Sequence, residues 1–190
     1  MSERCKASFM PPSAPFAERR FINMTYESAA EKDLEDIYTV VQQTVKTIYP
    51  NYYLTEVVRF FCELHSREAI LKDIRNGYVS FLKVDGKIIG TGSFIKNHIT
   101  RVYVLPEYQK KGYGTFIMKS IEAEIAKRYE KVYLEASLPA VGLYEKLGYT
   151  TMKHDKFSVE NEVVLVYEIM EKNVRATVES RNGSLNNTKI

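Results

Sequence analysis

Apolar positions in this chain recur with two periods, and the changes of period mark out its elements. Between residues 31 and 48, Leu34, Ile37, Tyr38, Val41, Val45 and Ile48 fall on one face of a helix, which Pro50 then ends. A second helical region carries Val57, Phe60, Phe61 and Leu64, then Ile70, Leu71 and Ile74 beyond a break near Ser66. Gly77 closes it. Period-two runs predict strands over 78–84 and 87–95, and Asp85-Gly86 between them is a strong hairpin signal. A turn at Lys96-Asn97 leads to a strand over 98–105. Phe116, Ile117, Ile121 and Ile125, with Met118 beside them, then give a helix to about residue 128. Val132, Leu134 and Ala136 alternate with Tyr133 and Glu135 as in a half-buried strand over 131–136. A short helix over 138–147 and strands over 150–157 and 163–170 follow. With a first strand over 22–26, the order is β-α-α-β-β-β-α-β-α-β-β, an α/β (α+β) domain.

Composition narrows the class. The chain has 190 residues, 45% hydrophobic and 27% charged, which suits one globular domain, placed here over 21–171. Residues 1–20 hold Pro11, Pro12 and Pro15 without any period, and residues 172–190 are polar; both predict flexible tails. A net charge of +3 is too small to argue for a nucleic-acid partner. The two cysteines, Cys5 and Cys62, form neither a disulfide framework nor a metal pattern, so the chain is expected in a reducing, cytoplasmic setting without a metal. No apolar run has the length of a membrane span.

The richest stretch is Val102-Tyr103-Val104-Leu105-Pro106-Glu107-Tyr108-Gln109-Lys110-Lys111-Gly112-Tyr113-Gly114-Thr115. A strand, a proline stop and a basic, glycine-containing loop open directly into a helix. The first amides of a helix have no internal partner and sit at the positive end of its dipole, so such a loop is an anion cradle. Gly112 and Gly114 remove the side chains that would hold a phosphate off those amides, and Lys110 and Lys111 add charge. The Walker pattern is absent. The dinucleotide fingerprint also fails, because Ile117 stands where its third glycine belongs.

What remains, Gln109-x-x-Gly112-x-Gly114, resembles the acetyl-coenzyme A signature of the GCN5-related N-acetyltransferase (GNAT) superfamily. Downstream, Ala140-Val141-Gly142-Leu143-Tyr144-Glu145-Lys146-Leu147-Gly148-Tyr149 is similar to the superfamily's second motif, a short helix that follows a strand. The resemblance implies a mixed, mostly antiparallel sheet of about seven strands flanked by four helices. It also implies acetyl transfer from acetyl-coenzyme A to an amine, by direct attack in a ternary complex. The acceptor class stays open between a small-molecule amine and a protein or peptide amine, with the chain a monomer or homodimer. A non-catalytic acetyl-coenzyme A binding module is the alternative.

The same resemblance assigns residues. Backbone groups of Val102, Tyr103 and Val104 would pair with the pantetheine arm, with one N–H polarising the thioester carbonyl. Gln109 and the amides of Lys110, Lys111, Gly112, Tyr113, Gly114 and Thr115 would take the pyrophosphate. Ser137 stands where some members have a cofactor-contacting asparagine, although an N-cap role already accounts for it. Tyr144 would touch the coenzyme sulfur and protonate the departing thiolate, which suits a phenol of pKa ~10, above that of a thiol. For the general base, His98, Glu135 and a water chain remain open. The loop between the first two helices, with Tyr49, Tyr52 and Tyr53, and the last hairpin would form the acceptor pocket. Independently of the resemblance, the acidic Glu160 and Glu162 of that hairpin read either as an attraction for a cationic acceptor or as the ordinary charge of a hairpin tip.

Overall fold

Helices α1 (Leu34–Ile48), α2 (Thr55–Leu64), α3 (Arg67–Arg75), α4 (Tyr113–Ala126) and α5 (Leu138–Lys146) surround seven strands. The strands are β1 (Met24–Ser28), β2 (Val79–Val84), β3 (Lys87–Ile95), β4 (His98–Val104), β5 (Lys131–Ser137), β6 (Thr150–Ser158) and β7 (Val164–Asn173). This computed structural model describes residues 23–175. The tail at residues 1–20, Ile22 of the expected first strand, and residues 176–190 of the other tail lie outside them. The last strand runs on to Asn173, using residues that composition alone assigns to the tail.

The strands form one sheet in the order β1-β2-β3-β4-β5-β7-β6, antiparallel everywhere except between β4 and β5. That parallel ladder holds only two residue pairs, His98 with Tyr133 and Ile99 with Leu134. Beyond them the strands part. The β3–β4 register shifts at the same level, from Arg101 opposite Ser93 to Ile99 opposite Phe94, which leaves Thr100 as an extra residue. A bulge of this kind bends its strand and locally disrupts the ladder. Here it lies where β4 leaves β5.

Two glycines seat the helix that carries the anion loop. A side chain at Gly90 would come within 2.8 Å of Ile117 Cδ1, and one at Gly92 within 2.7 Å of both Ile117 Cγ2 and Ile121 Cδ1. Their absence lets α4 lie close on β3, with Ile117 and Ile121 fully buried between them. Because strand residues alternate, Ile89 and Thr91 turn to the opposite face, where α1 packs across β3 and β4. The break expected near Ser66 is present. Its hydroxyl accepts from the Ala69 N–H at 3.3 Å and caps α3. The end of α2 is tied to α1 by Gln42, whose buried amide donates to the carbonyls of Cys62 and His65 at 2.9 and 3.1 Å.

Gly92→Ala should therefore lower stability by about 1–3 kcal/mol, the usual penalty for overfilling a packed core. Urea unfolding should show a lower midpoint with an unchanged slope. An unchanged midpoint would contradict the seating of α4 on β3.

Candidate active site

The gap between β4 and β5 exposes one edge of β4. Leu105 N–H donates to the Ile89 carbonyl at 2.9 Å, so odd-numbered residues at this end of the strand spend their backbone groups on β3. Val102 and Val104 accordingly face the gap, whereas Tyr103 presents its backbone to β3 and its side chain to the site. The Val104 carbonyl is already taken by Gln109 Nε2 at 2.9 Å and Thr44 Oγ1 at 3.1 Å. Gln109 thus folds back to pin the loop to the strand end.

After one 3-10 turn over Pro106–Tyr108, the loop coils through two left-handed residues, Lys110 at φ 59° and Gly112 at φ 88°. Gly112 is the N-cap of α4 and offers no side-chain cap. Among the described residues, no protein group accepts from the backbone N–H groups of Lys110 through Thr115. Six successive free donors at the positive end of a helix fit a pyrophosphate. Gly114 is not needed for packing, since a side-chain carbon there would meet only Leu143 at 3.5 Å. What its bareness provides is open access to the amides.

Two cavities meet across the gap. The larger, about 520 Å³, is bounded by Val102, Val104, Gln109, Lys110, Gly112, Gly114 and Thr115 on one side and by Leu143 and Lys146 of α5 on the other. The smaller, about 280 Å³, is lined by Phe60, Phe61, Leu64, His65, Arg101, Glu135, Tyr144, Phe157 and Tyr167, among others. Tyr49, Val102, Tyr103, Ser137 and Ala140 line both. Helix α5 borders both, with Leu143 lining the larger cavity and Tyr144 the smaller. At the junction the Tyr49 hydroxyl pairs with Ser137 Oγ at 2.9 Å and with the Tyr103 hydroxyl at 3.3 Å. Burial raises the pKa of both phenols.

Ser137 occupies the N-cap of α5 but does not cap it, because its hydroxyl is engaged with Tyr49. The cap comes from another part of the chain. The Tyr53 hydroxyl accepts from Leu138 N–H at 2.7 Å and donates to the Val166 carbonyl at 3.2 Å, fastening the α1–α2 loop to α5 and β7. Burial pushes its pKa up to about 12. Tyr53 therefore builds the wall and does not line either cavity, and Tyr52 is 52% exposed away from both. Of the three loop tyrosines only Tyr49 reaches the site. Lys111 turns aside to donate to the Glu107 carbonyl at 2.9 Å, and Tyr113 is buried beside Tyr108. Glu160 at the hairpin tip pairs with Arg59 at 2.6 Å, outside the cavities.

Tyr144 is 7% exposed, stands edge-on to Tyr149 and borders the smaller cavity. Burial, reinforced by Tyr49, holds its pKa well above that of an ordinary phenol, so it stays protonated. The two side chains weighed as rival bases touch each other. His98 Nε2 and Glu135 Oε2 are 2.6 Å apart, and the His98 ring stacks flat on Tyr133 with centroids at 4.4 Å. Glu135 borders the smaller cavity and His98 stands behind it. The hydrogen bond from His98 outweighs partial burial and keeps the Glu135 carboxyl below the usual range, hence ionised.

Residues 48–170 match the acetyltransferase (GNAT) domain. The chain belongs to the GNAT family. Its class is that of acetyl-coenzyme A-dependent N-acetyltransferases. An N-alpha-acetyltransferase of Saccharolobus solfataricus is 25% identical over 144 residues, covering 69% of this chain and 83% of that protein. The N-terminal acetyltransferase B complex catalytic subunit NAA20 of Arabidopsis thaliana is 29% identical over 110 residues, 55% of this chain and 59% of its own. The PaiA N-acetyltransferase of Thermoplasma acidophilum, solved with coenzyme A, shares the fold at TM-score 0.65 and 22% identity, over 79% of this chain and 98% of that one.

Several residues of this acetyltransferase's smaller cavity escape a reading of the sequence. Phe60, Phe61 and Leu64 read there as the buried face of α2, yet Leu64 is 49% exposed and Phe60 only partly buried against Phe157. An aromatic pair with an apolar residue one turn on exceeds what so short a helix needs for its core, and that surplus is the available signal. His65 and Arg101 carry no pattern at all; only the fold brings them together.

Gly112→Val should remove detectable coenzyme A binding by calorimetry, since a β-branched residue is strained at positive φ and crowds the free amides. Lys110→Ala, which deletes only an exposed charge, should weaken binding less than about tenfold. Unchanged affinity in a folded Gly112→Val variant would refute the assignment of the loop.

Proposed function

We propose that this chain acetylates the N-terminal amine of a peptide or protein, drawing the acetyl group from acetyl-coenzyme A while both are bound. The observation that carries this reading is the meeting of two cavities at Tyr49, Val102, Tyr103, Ser137 and Ala140, one fronting the free amides and the other the ionised Glu135. A peptide acceptor is supported by the names of the relatives from S. solfataricus and A. thaliana. It is further supported by the mouth of the smaller cavity, where Leu64 and Phe157 remain 49% and 40% exposed and offer apolar surface to a continuing chain.

Acetyl-coenzyme A supplies the activated thioester; the residues of the chain bind, orient and move protons. The Val102 and Val104 N–H groups, unpaired toward the gap, are positioned to hold an extended amide-bearing ligand and to polarise a carbonyl. Glu135 with His98 behind it forms a single proton acceptor in place of two rivals: the carboxylate takes a proton from the incoming ammonium, and the imidazole steadies it. Tyr144, kept neutral by burial, donates its proton toward the leaving sulfur. Cys62 lines neither cavity, and burial raises its thiol pKa, so direct transfer without a covalent acyl-enzyme fits the site.

A screen of free-amine peptides and small amines with acetyl-coenzyme A, reading released thiol, should give acceptor-dependent turnover with peptides and intersecting steady-state plots. Tyr144→Phe should keep coenzyme A affinity and lower turnover by roughly 10–1000-fold. Glu135→Gln should lose most activity below the pKa of the amine and recover as pH rises, because the acceptor then arrives already deprotonated. Turnover of small amines but of no peptide, or parallel plots with a trapped acetyl-enzyme, would contradict the reading.

A further inference from the structure

One polar side chain in the smaller cavity has no part in the chemistry above. His65 ends α2, its carbonyl is held by Gln42, and its ring stands edge-on to Tyr103 with centroids at 5.4 Å. It is 5% exposed, and that exposure is on the cavity. Arg101 Nε donates to His65 Nδ1 at 3.4 Å. The guanidinium is itself 4% exposed and held by Asp73 at 3.0 Å and by Ser93 at 3.4 Å, so it cannot turn away. A guanidinium has only N–H donors, so Nδ1 must offer a lone pair. The neutral ring then carries its single proton on Nε2.

Nε2 is also the nitrogen that can be reached. The sealed polar side-chain atoms without a partner among the described residues are the Tyr26 and Tyr149 hydroxyl oxygens and Glu122 Oε1, and His65 Nε2 is not one of them. The charged groups around the ring are Arg101 from β4, Asp73 from α3 behind it, and Glu135 from β5 across the cavity. Burial and the Arg101 charge push the His65 pKa down to about 3, so the ring is neither a base nor a cation at working pH. It is a neutral donor of fixed direction in a chamber of mixed polar and apolar lining.

We infer that His65 presents Nε2–H to a carbonyl oxygen of the acceptor, and so selects amines whose amine-bearing carbon is followed by a carbonyl. A reacting amine would gain nothing from this donor, since its lone pair must stay free to attack. The first peptide carbonyl of an N-terminal residue is the acceptor atom that travels with every peptide α-amine, whatever its side chain. Simple alkyl amines lack it. The inference rests on the proposed transfer to an acceptor held in the smaller cavity.

Two measurements test it. The first compares a tetrapeptide amide bearing a free N-terminus and an apolar first residue with its trans-alkene isostere, which lacks the first peptide carbonyl. Loss of the carbonyl should reduce kcat/KM about tenfold more in wild type than in His65→Phe, the size of one neutral hydrogen bond. Equal ratios in the two enzymes would overturn the inference while leaving peptide acetylation intact. The second is nitrogen-15 NMR of imidazole-labelled protein, with the chain's three histidines assigned by removing His98 and His154 in turn. The His65 ring should be the Nε2–H tautomer and should not titrate between pH 5.5 and 8.5. An Nδ1–H ring, or one that titrates in that range, would overturn the inference even if no peptide proved to be a substrate or His65→Phe failed to fold.

Discussion

Two residue pairs of parallel ladder, followed by separation, set the terms for everything else in this acetyltransferase. A buried strand edge is normally a liability, because unpaired backbone groups away from water are expensive. Here β4 is paired to β3 on either side of the extra residue Thr100, and its other edge is free just past Ile99, at the level of that bulge. The parting opens a slot through the sheet, with the free amides of the α4 start at one end and the ionised Glu135 at the other. Helix α5 borders both of the chambers that meet there. Without the separation β4 and β5 would satisfy each other, and neither chamber would exist.

Around the slot, polar side chains do structural duty that frees backbone for binding. Gln109 and Thr44 both occupy the Val104 carbonyl, leaving the neighbouring N–H groups as the open donors. Tyr53 caps α5 and releases Ser137 to pair with Tyr49. Burial gives these groups fixed protonation states. The phenols of Tyr49, Tyr103 and Tyr144 are held neutral, His65 is held neutral from the other direction, and Glu135 is the ionised carboxylate among them, with the Arg101 guanidinium fixed behind His65. An ionised carboxylate thus faces several phenols that keep their protons, an uneven distribution set by burial and hydrogen bonding.

Elements were legible in the sequence wherever periodicity and punctuation agreed. Asp85-Gly86, the break at Ser66 and the glycine-opened helix at Tyr113 all lie where local chemistry puts them. The row of free amides was legible too, because it follows from a glycine-opened helix start and not from side chains. What could not be read were contacts between distant segments. His98 and Glu135 are 37 positions apart and bond only because the two strands run parallel for two pairs. Ser137 has the form of a cap, yet a tyrosine 84 positions earlier performs that task. His65 and Arg101 look ordinary until α2 and β4 face each other. Aromatic residues in the α1–α2 loop suggested three site tyrosines, but a two-ended phenol such as Tyr53 can be used up in holding the wall.

The open edge of β4 can be interrogated directly by residue-resolved amide hydrogen exchange with and without acetyl-coenzyme A. Exchange at Val102 and Val104 should slow on addition of the cofactor, as their N–H groups gain partners in the gap. Tyr103, already bonded to β3, should change little. Protection at Tyr103 alone, or none along β4, would mean that the parted strands do not hold the cofactor.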